Sequence, residues 1–246
     1  MDNCIYHYTS VYALTGILRK EGVVLFATRY NHLNDPWEYR WALDYIMPNL
    51  KKIAEQNEAK YDEVFHAYPY TISLCEFDDY LNMWRLYSKD GLGYSIGLDS
   101  AKMSGYGKEP GKWPDVLQSI TYANKRDLEQ KIISTKAVYD KDYASGDIVA
   151  DLHEICALIK SDDYEIENEF RYLRILHDCF EADSKDNISE GEEHDAVKFR
   201  CRENEQIPYI EICFPKRCIK KYHYWPQIRL SKRKRNDYAV VKQFGL

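Results

Sequence analysis

Cys4-Ile5-Tyr6-His7-Tyr8-Thr9-Ser10, continuing through Val11, Leu14, Ile17 and Leu18 to Gly22 and Val23-Val24-Leu25-Phe26, decides the fold class. Residues 4–8 alternate apolar and polar-capable side chains and predict a short strand. Thr9-Ser10 offers an N-cap for a helix whose Val11, Leu14, Ile17 and Leu18 share one face. Gly22 ends that helix, and four apolar residues then predict a buried second strand. Strand, helix and strand thus fall within about the first 28 residues.

The same patterning continues outward. Asn31 to Pro36 predicts a turn, because Asn and Asp hydrogen-bond their own backbone. A helical period runs from Trp37 to about Lys60, with Pro48 as an interruption. Thr71 to Cys75 predicts a strand, Asn82 to Tyr87 one or two helical turns, and Tyr94 to Leu98 a strand after the Gly91 and Gly93 pair. Residues 104–115 carry three glycines and two prolines and predict a loop. Ile120 to Tyr122 reads as a short strand and Lys125 to Ile159 as mainly helical. Tyr164 to Leu176 alternates, which would place Glu165, Glu167, Glu169 and Arg171 on one strand face. Tyr209 to Phe214 is a late strand. With no internal repeat and no composition break, residues 1–246 read as a single α+β domain: a split β-sheet core with flanking helices.

Composition narrows the class. At 246 residues with 45% apolar and 30% charged residues, the chain buries a core and is not disordered. No apolar run approaches the roughly 20 residues of a membrane span. The start lacks a secretory n-region and h-region, which predicts a cytoplasmic protein with no membrane partner. Seven cysteines without a C-x-x-C predict reduced thiols. Net charge is −6 but unevenly placed: residues 181–195 hold seven acids against one lysine, whereas residues 216–235 hold nine bases and no acid.

Familiar motifs fail on spacing. Gly107 and Gly111 are one residue too close for a phosphate loop, and Trp113 follows where Ser or Thr is needed. Gly91-x-Gly93 precedes a strand, not the helix of a dinucleotide fingerprint. Glu192-Glu193-His194-Asp195 reads as solvated surface, so no metal is expected. No thiol sits in a setting that would activate it.

Three pieces remain: Tyr6-His7-Tyr8-Thr9, Asn82-Met83-Trp84-Arg85-Leu86-Tyr87 with the Gly-x-Gly strand after it, and Glu165-Ile166-Glu167-Asn168-Glu169-Phe170-Arg171. A histidine, a tyrosine and a carboxylate suit recognition of a ribose-like polyol beside a positively charged anomeric carbon, because a carboxylate stabilises an oxocarbenium-like state. The structural alternatives are a satisfied histidine, core aromatics at Trp84 and Tyr87, and a solvated face of glutamates paired with Arg171.

Tyr-His-Tyr-Thr-Ser, Ile-Leu-x-x-x-Gly, Leu-Asn-Asp-Pro-Trp-Glu, Met-Trp-x-x-Tyr with Gly-Tyr-Ser-Ile-Gly-Leu-Asp, Ile-Thr-Tyr and Glu-Asn-Glu-Phe-Arg occur in order over about residues 5–176. In this combination the chain resembles the bacterial DUF2971 family, of unassigned function and similar to the ADP-ribosyltransferase superfamily. The resemblance implies an ADP-ribosyltransferase-like core that takes NAD as substrate and transfers ADP-ribose to a macromolecule, a glycosyltransferase-class enzyme. It implies that His7 and Thr9 contact the nucleotide, that Tyr87 or Tyr94 stacks on nicotinamide, and that Glu169 is the catalytic carboxylate with Glu167 orienting the acceptor. Arg171, Asn34 and Asp35 would hold phosphates or orient the loop. The strand-borne tyrosine departs from that superfamily in lacking a Ser-Thr-Ser context. The biological setting implied is a bacterial toxin or phage-defence effector, with room for a regulatory protein partner.

The basic segment 216–235 belongs to the same domain and adds a second reading. Lys220, Lys221, Tyr224 and Trp225 interleave bases with aromatics, and Arg233 and Arg235 lie in a basic run, as in surfaces that grip RNA or DNA. A nucleic-acid acceptor follows for a transferase. The alternatives are a non-enzymatic nucleic-acid-binding module on the same fold, or a nucleotide or NAD hydrolase.

Overall fold

Ser10 turns the first strand into the first helix through one hydrogen bond, its hydroxyl accepting from the Ala13 amide at 3.3 Å. Strand β1 (Cys4–Ser10) thus leads directly into α1 (Val11–Ile17), whose Leu14 and Ile17 are buried. These features come from a computed structural model that describes residues 3–35, 37–45, 67–89, 92–104, 115–130, 147–177 and 197–224.

Strand β2 (Gly22–Arg29) follows α1, and residues 38–45 form a helix, α2. Asp35 starts α2 by accepting from the Trp37 amide at 2.9 Å, so the expected turn is there and its acid serves the backbone. Then come β3 (Ala67–Cys75), α3 (Leu81–Tyr87), β4 (Gly93–Asp99) and a single helical turn, α4 (Ser100–Met103). The second half contains β5 (Val116–Ser119), β6 (Thr121–Ala123), α5 (Asp147–Leu158) and β7 (Ile159–Ser161), then β8 (Glu169–His177), β9 (Lys198–Arg202), β10 (Glu205–Pro215) and β11 (Ile219–Tyr224).

Among the described residues the result is a mixed α/β chain built on a nine-stranded sheet, ordered β11-β4-β1-β3-β2-β10-β9, with β8 beside β3 and β5 beside β8. Every pairing in it is antiparallel; β6 and β7 form a separate parallel pair. One face of the sheet is the main core, where Ile5, Leu25, Ile72, Leu74, Ile96, Leu98, Tyr172, Ile212 and Phe214 meet Leu14 and Ile17 of α1. Fully burying one such aliphatic or aromatic side chain stabilises the fold by about 1.5–3 kcal/mol. A second cluster joins α2 to α5 through Tyr39, Ala42, Ile155 and Ala157. A third packs Tyr6 and Tyr8 on Met83 and Trp84 of α3.

The feature that makes room for a site is a fork in this sheet. Along one edge, β3 pairs with β8 from Ala67 to Cys75. On the other edge it meets β2 only at Tyr70 and Thr71, and β1 only where Cys75 faces Tyr6. No strand pairs with Ile72, Ser73 and Leu74 on that edge among the described residues. Strands β1 and β2 diverge there, and α1 connects them.

One expectation needs correction. Residues 164–168 are not strand: Asp162–Glu167 is a 3-10 helix, started by the Ser161 hydroxyl accepting from Asp163 N–H and ended by Asn168 in the left-handed region at φ 43°. Strand β8 begins only at Glu169, so Glu165 is exposed on the turn and does not join Glu169 on a strand face. The short strands β5, β7, β9 and β11 carry no clean alternation by which their sequence would mark them as strands. Residues 46–60, 105–114, 131–146 and 181–195, for which helices and loops are expected, lie wholly outside the described residues.

Candidate active site

The fork opens into a cavity of about 380 Å³, within the range of roughly 300–1,000 Å³ usual for ligand pockets. Strand β1 contributes His7 and Thr9, α3 contributes Tyr87, and the turn before β8 together with its first residue contributes Glu167 and Glu169. Residues expected from three distant stretches of sequence therefore line one opening.

His7 reaches across the gap between the strands, its Nδ1 lying 3.4 Å from the Ser73 carbonyl oxygen. That geometry assigns Nδ1–H as donor and leaves Nε2 an acceptor. Burial pulls the imidazole down to about 4, so it is neutral at pH 7. Thr9 is buried beside it, where β1 passes close to β4: a Cβ on Gly93 would meet the Thr9 carbonyl oxygen at 2.0 Å, so only glycine fits.

The carboxylates belong to a buried ionic cluster. Lys160, on β7, has its Nζ 2.6 Å from Glu167 and 3.3 Å from Glu169, and it also pairs with Glu38 of α2. Arg171 donates to Glu169 Oε1 from Nη2 at 2.7 Å and from Nε at 2.9 Å, and from Nη1 to the Ala157 carbonyl at 2.6 Å. The Tyr122 hydroxyl accepts from the Glu169 amide at 2.9 Å. Carboxylate oxygens of Glu38, Glu167 and Glu169 lie within 4.8 Å of one another, as in a cation site, and the ammonium of Lys160 contacts all three residues.

Three acids against two bases leave the cluster one formal negative charge in excess. Burial raises Glu169, but Arg171 and Lys160 outweigh it and hold the carboxyl below its ordinary value. On Glu38 burial prevails over Arg171 and Lys160, and its carboxyl is raised. Burial disfavours the charged ammonium of Lys160, yet Glu169, Glu38 and Glu167 together push it up. Tyr87 completes the group by donating to Glu167 Oε1 at 3.2 Å; burial raises its phenol, which stays protonated.

Other expected residues are placed differently. Tyr94 is 5% exposed within the main core and is not among the residues lining the cavity, so of the two tyrosines only Tyr87 faces it. Arg171 is 1% exposed and committed to Glu169 and a carbonyl, not open to a phosphate. Asn34 lines the cavity but accepts from Arg202 at 3.1 Å. In the basic segment, Lys221 pairs with Asp78 at 3.1 Å and Lys220 lies 3.9 Å from Asp99, which match these bases with acids. Tyr224 ends β11, and Trp225, Arg233 and Arg235 lie outside the described residues. None of the six described cysteines is in a disulfide.

Sequence reasoning missed Lys160, Glu38, Ser73, Arg200 and Arg202. Lys160 directly follows Ala157-Leu158-Ile159, and a lysine buried with such a stretch is almost always paired. Glu38 stood within the Trp-Glu of a quoted motif without a role.

Residues 83–172 match the family model described as "Protein of unknown function (DUF2971)". The matched span runs from α3 through the Lys160, Glu167, Glu169 and Arg171 cluster, so the DUF2971 segment contains most of the ionic half of the site. No curated protein and no solved structure matches the chain. Among the described residues no helix is long and apolar enough to cross a membrane.

Proposed function

We propose that the chain is an ADP-ribosyltransferase-like enzyme that binds NAD in the fork of its sheet and transfers ADP-ribose to a macromolecular acceptor. The observation that carries this reading is the convergence of His7, Thr9, Tyr87, Glu167 and Glu169 on one cavity. The forked β3 edge fits the split sheet expected of such a core.

In this reading, neutral His7 accepts from a ribose hydroxyl through Nε2, and Tyr87 packs against the nicotinamide. The C1′–N bond breaks with its electron pair leaving on nicotinamide, and positive charge develops at C1′. The ionised Glu169 stabilises that charge, and the excess negative charge of the cluster acts in the same direction. A lone pair of the acceptor then attacks C1′, and its proton passes to Glu167, which is held in orientation by Tyr87 and Lys160.

Incubating the full chain with NAD labelled in its adenylate, alone and with RNA, DNA or cell extract, tests this reading. Label transferred to one acceptor class, and lost in Glu169→Gln, is the expected result. Nicotinamide release with no labelled acceptor would replace the transferase by a hydrolase. Salt-sensitive RNA or DNA binding with neither reaction would leave only a binding module.

A further inference from the structure

Arg200 and Arg202 sit two residues apart on β9 and so point to the same face of the sheet. Through β10 that face continues to Phe26 and Thr28 of β2. Arg200 Nη2 donates to Thr28 Oγ1 at 2.9 Å, and its guanidinium lies 5.9 Å from the Phe26 ring and 5.8 Å from the Tyr209 ring, two rings stacked at 4.3 Å. Arg202 Nη1 donates to Asn34 Oδ1. Both arginines, with His32, line the same cavity as Glu167 and Glu169.

Their charge is poorly matched. Arg202 has Glu205 at 3.5 Å on the exposed hairpin, and Arg200 has no carboxylate partner among the described residues. Desolvation and the neighbouring Arg202 both disfavour the charge on Arg200, and desolvation followed by Arg29 does the same at His32. A positive corner lacking an acid on Arg200 thus shares one cavity with a carboxylate cluster that carries an excess negative charge. A planar guanidinium held by a threonine and two rings is suited to bidentate contact with phosphate oxygens.

Resting on the NAD reading of the fork, we propose that Arg200 and Arg202 form the subsite for the pyrophosphate of the dinucleotide and fix its direction. The phosphates lie against β9, and the scissile glycosidic bond lies at Glu167 and Glu169. Register supports the span: Thr28 faces Thr71, which faces Leu173, four residues beyond Glu169. Two strand spacings and four strand residues correspond to roughly 16 Å between the Thr28 and Glu169 backbones, a gap that the Arg200 and Glu169 side chains narrow from its two ends within the one cavity.

Calorimetric titration of the full chain with ADP, ADP-ribose and adenosine tests the subsite. The wild type is expected to bind ADP and ADP-ribose at least tenfold more tightly than adenosine. Arg200→Gln and Arg202→Gln should each remove at least tenfold of the ADP affinity and leave adenosine unchanged, and Arg200→Lys should recover part of it. Thermal melting establishes that each variant is folded; Arg202→Gln decides the matter if Arg200→Gln is not. ADP bound no better than adenosine, or bound equally by wild type and both glutamine variants, overturns the subsite. Arginine-dependent ADP binding without cleavage of NAD keeps the subsite and removes the transferase. Cleavage of NAD with equal efficiency by wild type and both variants does the reverse.

Discussion

The Tyr87 hydroxyl donates to Glu167 Oε1 at 3.2 Å, joining α3 to the turn before β8 across eighty residues of chain. This bond is formed by the one expected tyrosine that faces the cavity, and it ends on the carboxylate assigned to the acceptor proton. The Tyr87→Phe variant keeps the ring and removes only the donor. Stability should fall by about 0.5–1.5 kcal/mol, as for a single part-buried hydrogen bond. Transfer should fall further than NAD affinity, because the ring still packs while Glu167 loses its orientation. Urea unfolding and a comparison of kcat with KM check this; unchanged kcat would show that Glu167 needs no such support.

Lys160 is the shared partner of three carboxylates, and its Lys160→Met variant leaves Glu38, Glu167 and Glu169 facing one another with only Arg171 to balance them. Removing one member of a buried ionic group costs about 3–5 kcal/mol, because the remaining charges are uncompensated. Adding Glu167→Gln to that variant should recover part of the loss, since it removes one of the repelling acids. Denaturant midpoints of both variants measure this. A Lys160→Met variant as stable as the wild type would mean that the cluster is far better solvated than its burial indicates.

The fold was legible where sequence periodicity and backbone chemistry agree. Ser10 caps α1 as its hydroxyl predicts, and the apolar faces of β1, β2, β3 and β4 are those that make the core. Legibility failed at Asp162–Glu167, where alternation of glutamates imitates a strand but Ser161 and Asn168 enclose a 3-10 turn. The site was half legible. His7, Thr9, Tyr87, Glu167 and Glu169 could be named because each is a chemically distinctive residue in a quoted motif. Lys160, Glu38 and Arg200 act through partners 9, 133 and 172 residues away in sequence, and no local pattern encodes such pairings. The fork itself depends on where β1 and β2 leave β3, which is a matter of register.

His7 gives the pH dependence its sign. In the unfolded chain the imidazole takes up a proton at about 6.5, and in the fold burial delays this to about 4. Between those values the unfolded state binds more protons, so stability is full above pH 6.5 and is lost as pH falls toward 4. His7→Gln should flatten this slope by on the order of 2 kcal/mol across the window. Unfolding curves at pH 4.5, 5.5 and 7 compare the two proteins. An equal slope in both would place the proton uptake on another group.

The central claim is that Glu169 stabilises positive charge at the ribose C1′ of bound NAD, and nicotinamide release at pH 7 tests it most directly. The wild type should release nicotinamide, and a folded Glu169→Gln variant should release it at least about 100-fold more slowly while binding NAD with similar affinity. Equal rates in the two proteins, or no release by a wild type saturated with NAD and acceptor, would contradict the account.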